Sequence, residues 1–338
     1  MPNNRIFYAS QQVAIGTTAG AYRVLKGVQS VSMTTTFNLE QAFQLGQLEI
    51  YENIEGVPSI EMTINRLLDG TALAYVLCAG SYTNADSINL ASTNEFLVKL
   101  GIWDEQLDPD YVDGNPVTQV AISGAFLSSV NYTFGVDGNF TEEVSITATD
   151  KAWNGDCAIA AGWSDDFVAG STDFAIPDSP DFAGGVQRRE YVDTTGSLWP
   201  SIIPEGSGRI QNVTISADFG REDLFELGQK GPFAKVATFP LEVTCSIEVL
   251  SQSGDLVSAA AEGCAVVADS CTANPNLTDE NIRINLCDGT VVDLGTKNKL
   301  SSVSYGGGDA GGGNVTTTFD FVTYNKLSVS GTGDITFS

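Results

Sequence analysis

Histidine is absent from all 338 residues. That removes the commonest general base and metal ligand, so histidine-dependent serine or cysteine triads and mixed Cys/His zinc sites are excluded. Basic residues are scarce: 16 Lys and Arg stand against 42 Asp and Glu, a formal net charge of −26. Phosphate neutralisation needs clustered cations, and Arg188-Arg189 is the only basic doublet. The acidity suits a solvated surface, or a wall that polyanions pass without sticking, since like charges repel across a wetted gap. No apolar run reaches the roughly 18 residues of a membrane span, so no membrane partner is expected. The opening MPNNRIFYASQQ lacks the basic start and apolar core of a signal peptide.

The six cysteines (Cys78, Cys157, Cys245, Cys264, Cys271, Cys287) contain no C-x-x-C pair. They read as buried or inert thiols, or as a disulfide within the 264/271/287 cluster. Charged residues make up only 17% of the chain, while glycine reaches 35 residues and Thr, Ser, Val and Asn crowd the alternating segments. That composition suits a β-rich globular protein with room for two cores.

What is present is a repeat. VQSVSMTTTFNLEQAFQLGQ (28–47) returns as IQNVTISADFGREDLFELGQ (210–229), with 8 identities in 20 and no gap. One constant offset carries Phe37 to Phe219, Phe43 to Phe225, Gly46 to Gly228 and Pro58 to Pro240. LSSVNY (127–132) returns as LSSVSY (300–305), and Gly138-Asn139-Phe140-Thr141 as Gly313-Asn314-Val315-Thr316. The order is the same in both copies, and the span is too long for a solenoid period of roughly 20–50 residues. The expected organisation is a duplicated domain: an N-terminal arm outside any core (1–27), a first module (28–150), an ordered connecting segment (151–207) and a second module (208–338).

Within each module the two-residue alternation of 28–34, of Ile60, Met62, Ile64 and of Leu241, Val243, Cys245, Ile247 predicts strands. Asn38 with Gln41 resembles a capping box, Leu39, Ala42 and Phe43 lie at helical spacing, and Gly46 supplies a left-handed stop. A short helix is therefore expected over 38–46 and again near 220–228, with Phe43 and Phe225 as its core anchors. Segments 70–93 and 252–278 read as irregular. Asp137-Gly138-Asn139 marks a hairpin turn, enlarged in the second copy to GGGDAGGG (306–313). The connecting segment holds Trp153, Trp163 and Trp199, too many large aromatics for a bare linker.

Catalytic signatures are not found. GGGDAGGG lacks the Lys-Ser/Thr of a phosphate loop and leads into a strand. Asp165-Asp166 and Glu142-Glu143 are the carboxylate pairs expected of so acidic a chain, and Asp137-Gly138-Asn139 falls short of a calcium loop. No catalytic, cofactor-binding or metal residue is assigned, and no cofactor is expected.

Taken together, VQSVSMTTTFNLEQAFQLGQLEIYENIEGVP, GVQRRE near 185, IQNVTISADFGREDLFELGQKGPFAKVATFPLEVTCSIEV and LSSVSYGGGDAGGGNVTTTFDF resemble the tail-tube (major tail) proteins of long-tailed bacteriophages, especially those with contractile tails. The resemblance covers about two-thirds of the chain. It implies a mainly β fold of two tandem tail-tube-like β-sandwich/barrel modules, each with a short flanking α-helix. It implies a structural virion protein whose stacked rings make an acidic-walled conduit for DNA ejection, in a tail assembled in the host bacterial cytoplasm. The partners implied are the chain itself, tail sheath, baseplate or initiator, and tail terminator, with DNA passing unbound. Single-module relatives make six-fold rings, so a duplicated chain is expected to make trimeric pseudo-hexamers, with hexamers of whole chains as the alternative. Gly306, Gly307, Gly308, Asp309, Gly311, Arg188 and Arg189 are the candidate ring contacts. A decoration or adhesin-type β domain is the alternative function, and a carbohydrate-active enzyme a third.

Overall fold

The computed structural model describes residues 6, 8–17, 22–80, 87–103, 116, 118–154, 185–203, 209–229, 231–250, 279–306 and 313–331. The chain opens with β1 (Gln11–Thr17) and β2 (Tyr22–Val24). Next come β3 (Val28–Thr36), β4 (Leu39–Ala42), β5 (Glu52–Glu55) and β6 (Ser59–Leu67). Two short helices follow, α1 (Ala74–Ala79) and α2 (Ser87–Thr93), then β7 (Phe96–Ile102), β8 (Thr118–Gly135), β9 (Thr141–Ala148) and β10 (Asp150–Asn154). The second half contains β11 (Arg209–Asp218), β12 (Arg221–Leu224), β13 (Ala234–Ala237) and β14 (Glu242–Leu250). It continues with β15 (Arg283–Asn285), β16 (Val291–Asp293), β17 (Lys299–Gly306), β18 (Thr316–Tyr324) and β19 (Ser328–Ser330). The fold is mainly β, as the alternating pattern predicts.

Eight strands form one continuous antiparallel sheet in the order β3-β6-β9-β8-β11-β14-β18-β17. The first four and the last four strands follow the same pairing order. Their irregularities also correspond. The register shifts at Val28/Ser30 and at Ile210/Asn212, and again at Leu127/Ser129 and at Leu300/Ser302. Each of these pairs of sites is one that the sequence repeat equates. β8 joins the halves, pairing with β9 on one side and β11 on the other. The sheet is open. Among the described residues β3 pairs only with β6, and β17 only with β18.

The long strand β8 also turns a corner. Its first half pairs with β7 and β10, in a second layer completed by β1 and β2. The bend falls at Gly124, whose φ of 59° lies in the left-handed region and where a Cβ would collide with the Thr149 hydroxyl. Such sheet-switching corners concentrate at bends and bulges. Inward residues of both layers, with α1 and α2, make one apolar core that includes Ile15, Val98, Ile122, Tyr132, Ile146 and Ile215.

A buried ionic cluster sits at one end of that core. Glu142 accepts the N–H groups of Ala74 (2.8 Å) and Tyr75 (3.0 Å) at the start of α1, and the Tyr132 hydroxyl (2.8 Å). Arg66 Nε lies 3.9 Å from Glu142, and both side chains are fully buried. Arg66 also donates to Asp69, Thr71 and the carbonyl of Ala72. Burial, and secondarily Glu142, push the Tyr132 hydroxyl well above its ordinary pKa. In the second half the corresponding cross-strand pair is Val249 opposite Thr317, so this sheet position tolerates an uncharged solution.

Three sequence expectations need correction. No helix forms over 38–46 or 220–228: β4 pairs with β5, and β12 with β13, as two hairpins. A helix that short is marginal alone and needs an apolar stripe against a core; here Phe43 and Phe225 are exposed and anchor nothing. Asn38 caps no helix, but donates to the Val57 carbonyl at 2.7 Å across the hairpin base. Gly46 and Gly228 do adopt left-handed φ, 88° and 99°, within the hairpin turns. Second, the helices of the first half lie within 70–93, which reads as irregular; the matching stretch 252–278 lies outside the described residues. Third, residues 11–17 and 22–25 are no free arm. β1 pairs with β7 over its whole length, and Val13, Ala14, Ile15 and Leu25 are buried.

Candidate assembly surfaces

The eight-stranded sheet buries one face and leaves the other clear of the core. Residues directly opposite in an antiparallel ladder share a face, so the register defines what the clear face displays. One row runs Asn65, Glu143, Asn131, Ser216, Thr244, and another Thr133, Thr214, Ser246, Asp320, Ser302. The face is built almost entirely of small hydroxyl and amide side chains with interspersed acids: Glu61, Glu143, Asp218, Glu242, Glu248 and Asp320. Hydroxyls hold some of these carboxylates in place. Ser246 and Ser302 donate to the two oxygens of Asp320 at 2.8 and 2.5 Å, and Asn65 donates to Glu143 at 3.3 Å. Among the described residues the cations on this face stand at its margins, Arg209 and Lys299, and Lys299 is paired with Asp279 at 2.9 Å. The result is a solvent-facing, anionic, hydrogen-bonding wall. Strand alternation makes this wall; the sequence periodicity shows polar faces but not that they adjoin across eight strands.

Strand direction alternates across the sheet, so β3 and β11 run the same way and their hairpins leave from one rim. The β8–β9 turn and the end of β17 lie at the other. The hairpin rim is apolar and uncovered: Leu45 and Leu48 are as exposed as in an extended chain, and Phe43, Tyr51, Phe225, Leu227 and Phe233 are exposed too. The two rims therefore differ chemically.

The first hairpin has no cover among the described residues, while the second is seated at its base on the first half of the chain. Arg221 donates to the carbonyls of Leu127 (2.8 Å), Ala91 (3.1 Å) and Ser92. Its guanidinium lies over the rings of Phe126 and Phe219. Burial lowers its pKa to about 10, a cost offset by those three carbonyls. Phe219 is fully buried at the same place, its N–H donating to Ser128 O at 2.9 Å.

The framework residues of the repeat separate accordingly. Phe219 is in the core, Phe37, Phe43 and Phe225 are exposed, and Pro58 and Pro240 lead into β6 and β14. Of the candidate ring contacts, Gly306 ends β17 on the turn-bearing rim. Gly307, Gly308, Asp309 and Gly311 lie outside the described residues. Arg188 and Arg189 are exposed, the latter beside a recess lined by Phe134, Phe140, Trp199 and Ile284. Gln187, in the same GVQRRE run, donates its backbone N–H to Leu68 O and accepts from Phe140 N, tying the connecting segment to the first half. Residues 192–203 bind the second half through Leu198 with Arg283 and Ser201 with Glu280. Trp199 is half-buried and Trp153 exposed, while Trp163 lies outside the described residues. Among the cysteines, Cys78 and Cys245 are buried free thiols and Cys287 an exposed one; Cys157, Cys264 and Cys271 lie outside the described residues. Among the described residues no cluster of acidic or cysteine side chains could hold a metal ion, and no helix is long and apolar enough to cross a membrane.

Among solved structures, the chain is similar to one in the sheath-tube complex of an extracellular contractile injection system in its extended state. The identity is 12%, over 46% of this chain and 94% of that one, with a TM-score of 0.34. It is similar to the SPP1 tail tube at 12% identity, over 45% and 80% of the two chains, with a TM-score of 0.33. The Hcp1 protein of Flavobacterium johnsoniae matches at 13% identity, over 43% and 95%, with a TM-score of 0.25. No family model matches the chain, and no curated protein matches it.

Proposed function

We propose that this chain is a structural protein that closes into rings and stacks them into a phage tail tube, with the acidic sheet face lining the channel. The observation that carries the reading is the open eight-stranded sheet, with one polar, anionic face and an unpaired strand at each edge among the described residues. An exposed strand edge is a template for pairing and is removed when a sheet closes on itself. Copies joined edge to edge would place β17 of one beside β3 of the next, with the apolar face still packed on its own core.

The two modules, 28–150 and 208–338, act as successive staves of the same wall. Because β8 and β11 already join two staves, three chains supply six, a pseudo-hexamer with eight strands from each chain. At about 4.8 Å per strand and a tilt near 40°, such a barrel is about 48 Å across between backbones. Six whole chains would double that width. The chemically unlike rims suit head-to-tail stacking, a heterologous contact that propagates without closing. The apolar hairpin tips would meet the rim that carries the Asp137–Asn139 turn, Gly306 at the end of β17 and the Arg188-Arg189 doublet. Inside, phosphate-bearing DNA meets carboxylates and hydroxyls, which repel it and hydrate the gap. Sheath, baseplate or initiator, and terminator proteins are the further partners of such a tube in a virion tail.

Electron microscopy of the purified protein, concentrated until it assembles, tests this directly. Hollow tubes with three-fold rings of six similar lobes are expected. Rings of six whole chains would discard the stoichiometry, and a chain that stays monomeric at every concentration, with or without tail initiator, would discard the tube.

A further inference from the structure

The junction between the two halves of one chain offers a template for the junction between chains, and the exposure of paired residues shows where that template is unfilled. Phe219 is 0% exposed, whereas Phe37, its counterpart in the repeat, is 71% exposed. Tyr132 on β8 is 0% exposed, whereas Tyr305, its counterpart on β17, is 57% exposed. Each buried member lies at the β8–β11 junction. Each exposed member lies on the corresponding free edge, β3 or β17. For the phenylalanines the difference follows the junction, since Phe219 donates its N–H to Ser128 O across it, whereas Tyr132 is also covered by the Glu142 cluster at the start of α1.

We infer that Phe37 is the anchor of the contact between copies, seated under β17 of a second copy as Phe219 is seated under β8. The inference rests on the ring reading above and adds the residues and the register. β11 pairs with β8 through Ile215 opposite Tyr132, Ala217 opposite Val130 and Asp218 opposite Ser129. Replacing every residue by its counterpart in the repeat places Met33 opposite Tyr305, Thr35 opposite Val303 and Thr36 opposite Ser302 of the second copy. The hydrogen bond from Phe219 N to Ser128 O becomes one from Phe37 N to Ser301 O. The chemistry of this seat is compatible at each position: Met33 and Thr35 continue the inward face of β3, Val303 and Tyr305 that of β17, and Thr36 and Ser302 the channel face.

The seat differs from its template at two side chains: Lys299 stands where the template has Phe126, whose ring lies under Arg221, and Leu39 stands where it has Arg221. Arg221, two positions beyond Phe219, binds three carbonyls, whereas two positions beyond Phe37 stands Leu39, 60% exposed. The contact between copies is therefore held by apolar burial and strand pairing without a guanidinium.

The test uses the full chain with the photoreactive phenylalanine analogue p-benzoylphenylalanine at position 37, irradiated after assembly, with crosslinked peptides identified by mass spectrometry. Crosslinks between copies falling within 299–306 are the expected result. In parallel, Phe37→Asp is expected to fold as a monomer, since the side chain is already in solvent there, but to lose assembly at concentrations where the unaltered chain and Phe37→Leu assemble. Rings that form with crosslinks elsewhere, or a Phe37→Asp chain that assembles normally, would overturn this seat and leave the ring reading standing. An unaltered chain that never forms rings would overturn both.

Discussion

The buried pair Arg66–Glu142 gives the sharpest stability prediction, because the second half of the chain supplies its uncharged substitute. Glu142→Thr removes the acceptor for Ala74 N, Tyr75 N and the Tyr132 hydroxyl. It also leaves a fully buried guanidinium with Asp69 as its remaining carboxylate. Breaking a buried pair from one side costs about 3–5 kcal/mol. Arg66→Val leaves Glu142 its three donors, so a cost near the lower end, about 3 kcal/mol, is expected. In the double variant no charge is stranded. What remains is three donors without an acceptor, at about 1 kcal/mol each. The double variant should therefore lose about 3–4 kcal/mol where the singles sum to about 6–8 kcal/mol, a coupling of about 2–5 kcal/mol. Guanidinium unfolding of the unassembled chain and its three variants, compared at equal slope, measures this cycle. Additivity within about 0.5 kcal/mol would mean that the two side chains are not energetically joined, and the reasoning from burial would fail.

Three further outcomes are expected of the surfaces, thiols and carboxyls. Lysine at Glu61, Glu143 and Glu248 together should leave tubes of normal length but slow the passage of duplex DNA, and unchanged ejection kinetics would remove the electrostatic role of the wall. Burial, with the Asp320 charge adding to it, pushes the Cys245 thiol up to about 12, and burial and then Glu142 push Cys78 well above its ordinary value. Iodoacetamide at mildly alkaline pH should therefore modify Cys287 and spare Cys78 and Cys245 in the native chain, read by peptide mapping. The Asp193 carboxyl is held below its ordinary range, first by the Thr195 hydroxyl and then by the N–H groups of Thr195 and Gly196. Its contribution is present above the unfolded pKa of about 3.9 and is lost as pH falls through the lower folded value. Thr195→Val should raise the Asp193 titration midpoint seen by NMR, and an unmoved midpoint would assign the depression elsewhere.

The hairpins show where local reading fails. Asn38, Gln41 and Gly46 are a fair helix signature taken alone, and Gly46 does take the left-handed conformation that signature requires. The left-handed position serves a hairpin turn equally well, and the choice between the two depends on whether residues 52–55 lie alongside 39–42. No local pattern carries that information. The N-terminal segment fails for a related reason: lying outside the repeat says nothing about pairing, and β1 finds its partner in β7, beyond the whole of the first hairpin and both helices.

Strand content, the alternation that makes one face polar, the acid excess and the likeness of 28–47 to 210–229 were all legible in the chain read alone. These are properties of neighbouring residues or of self-comparison, so no fold is needed to see them. The folded molecule was required to show that the two halves join through β8 and β11, that carboxylates from separate strands share one wall, and that Phe219 is buried while Phe37 is not. Those facts depend on which strand lies beside which, and pairing between distant segments is set by the packing of the whole sheet on its core rather than by any single stretch.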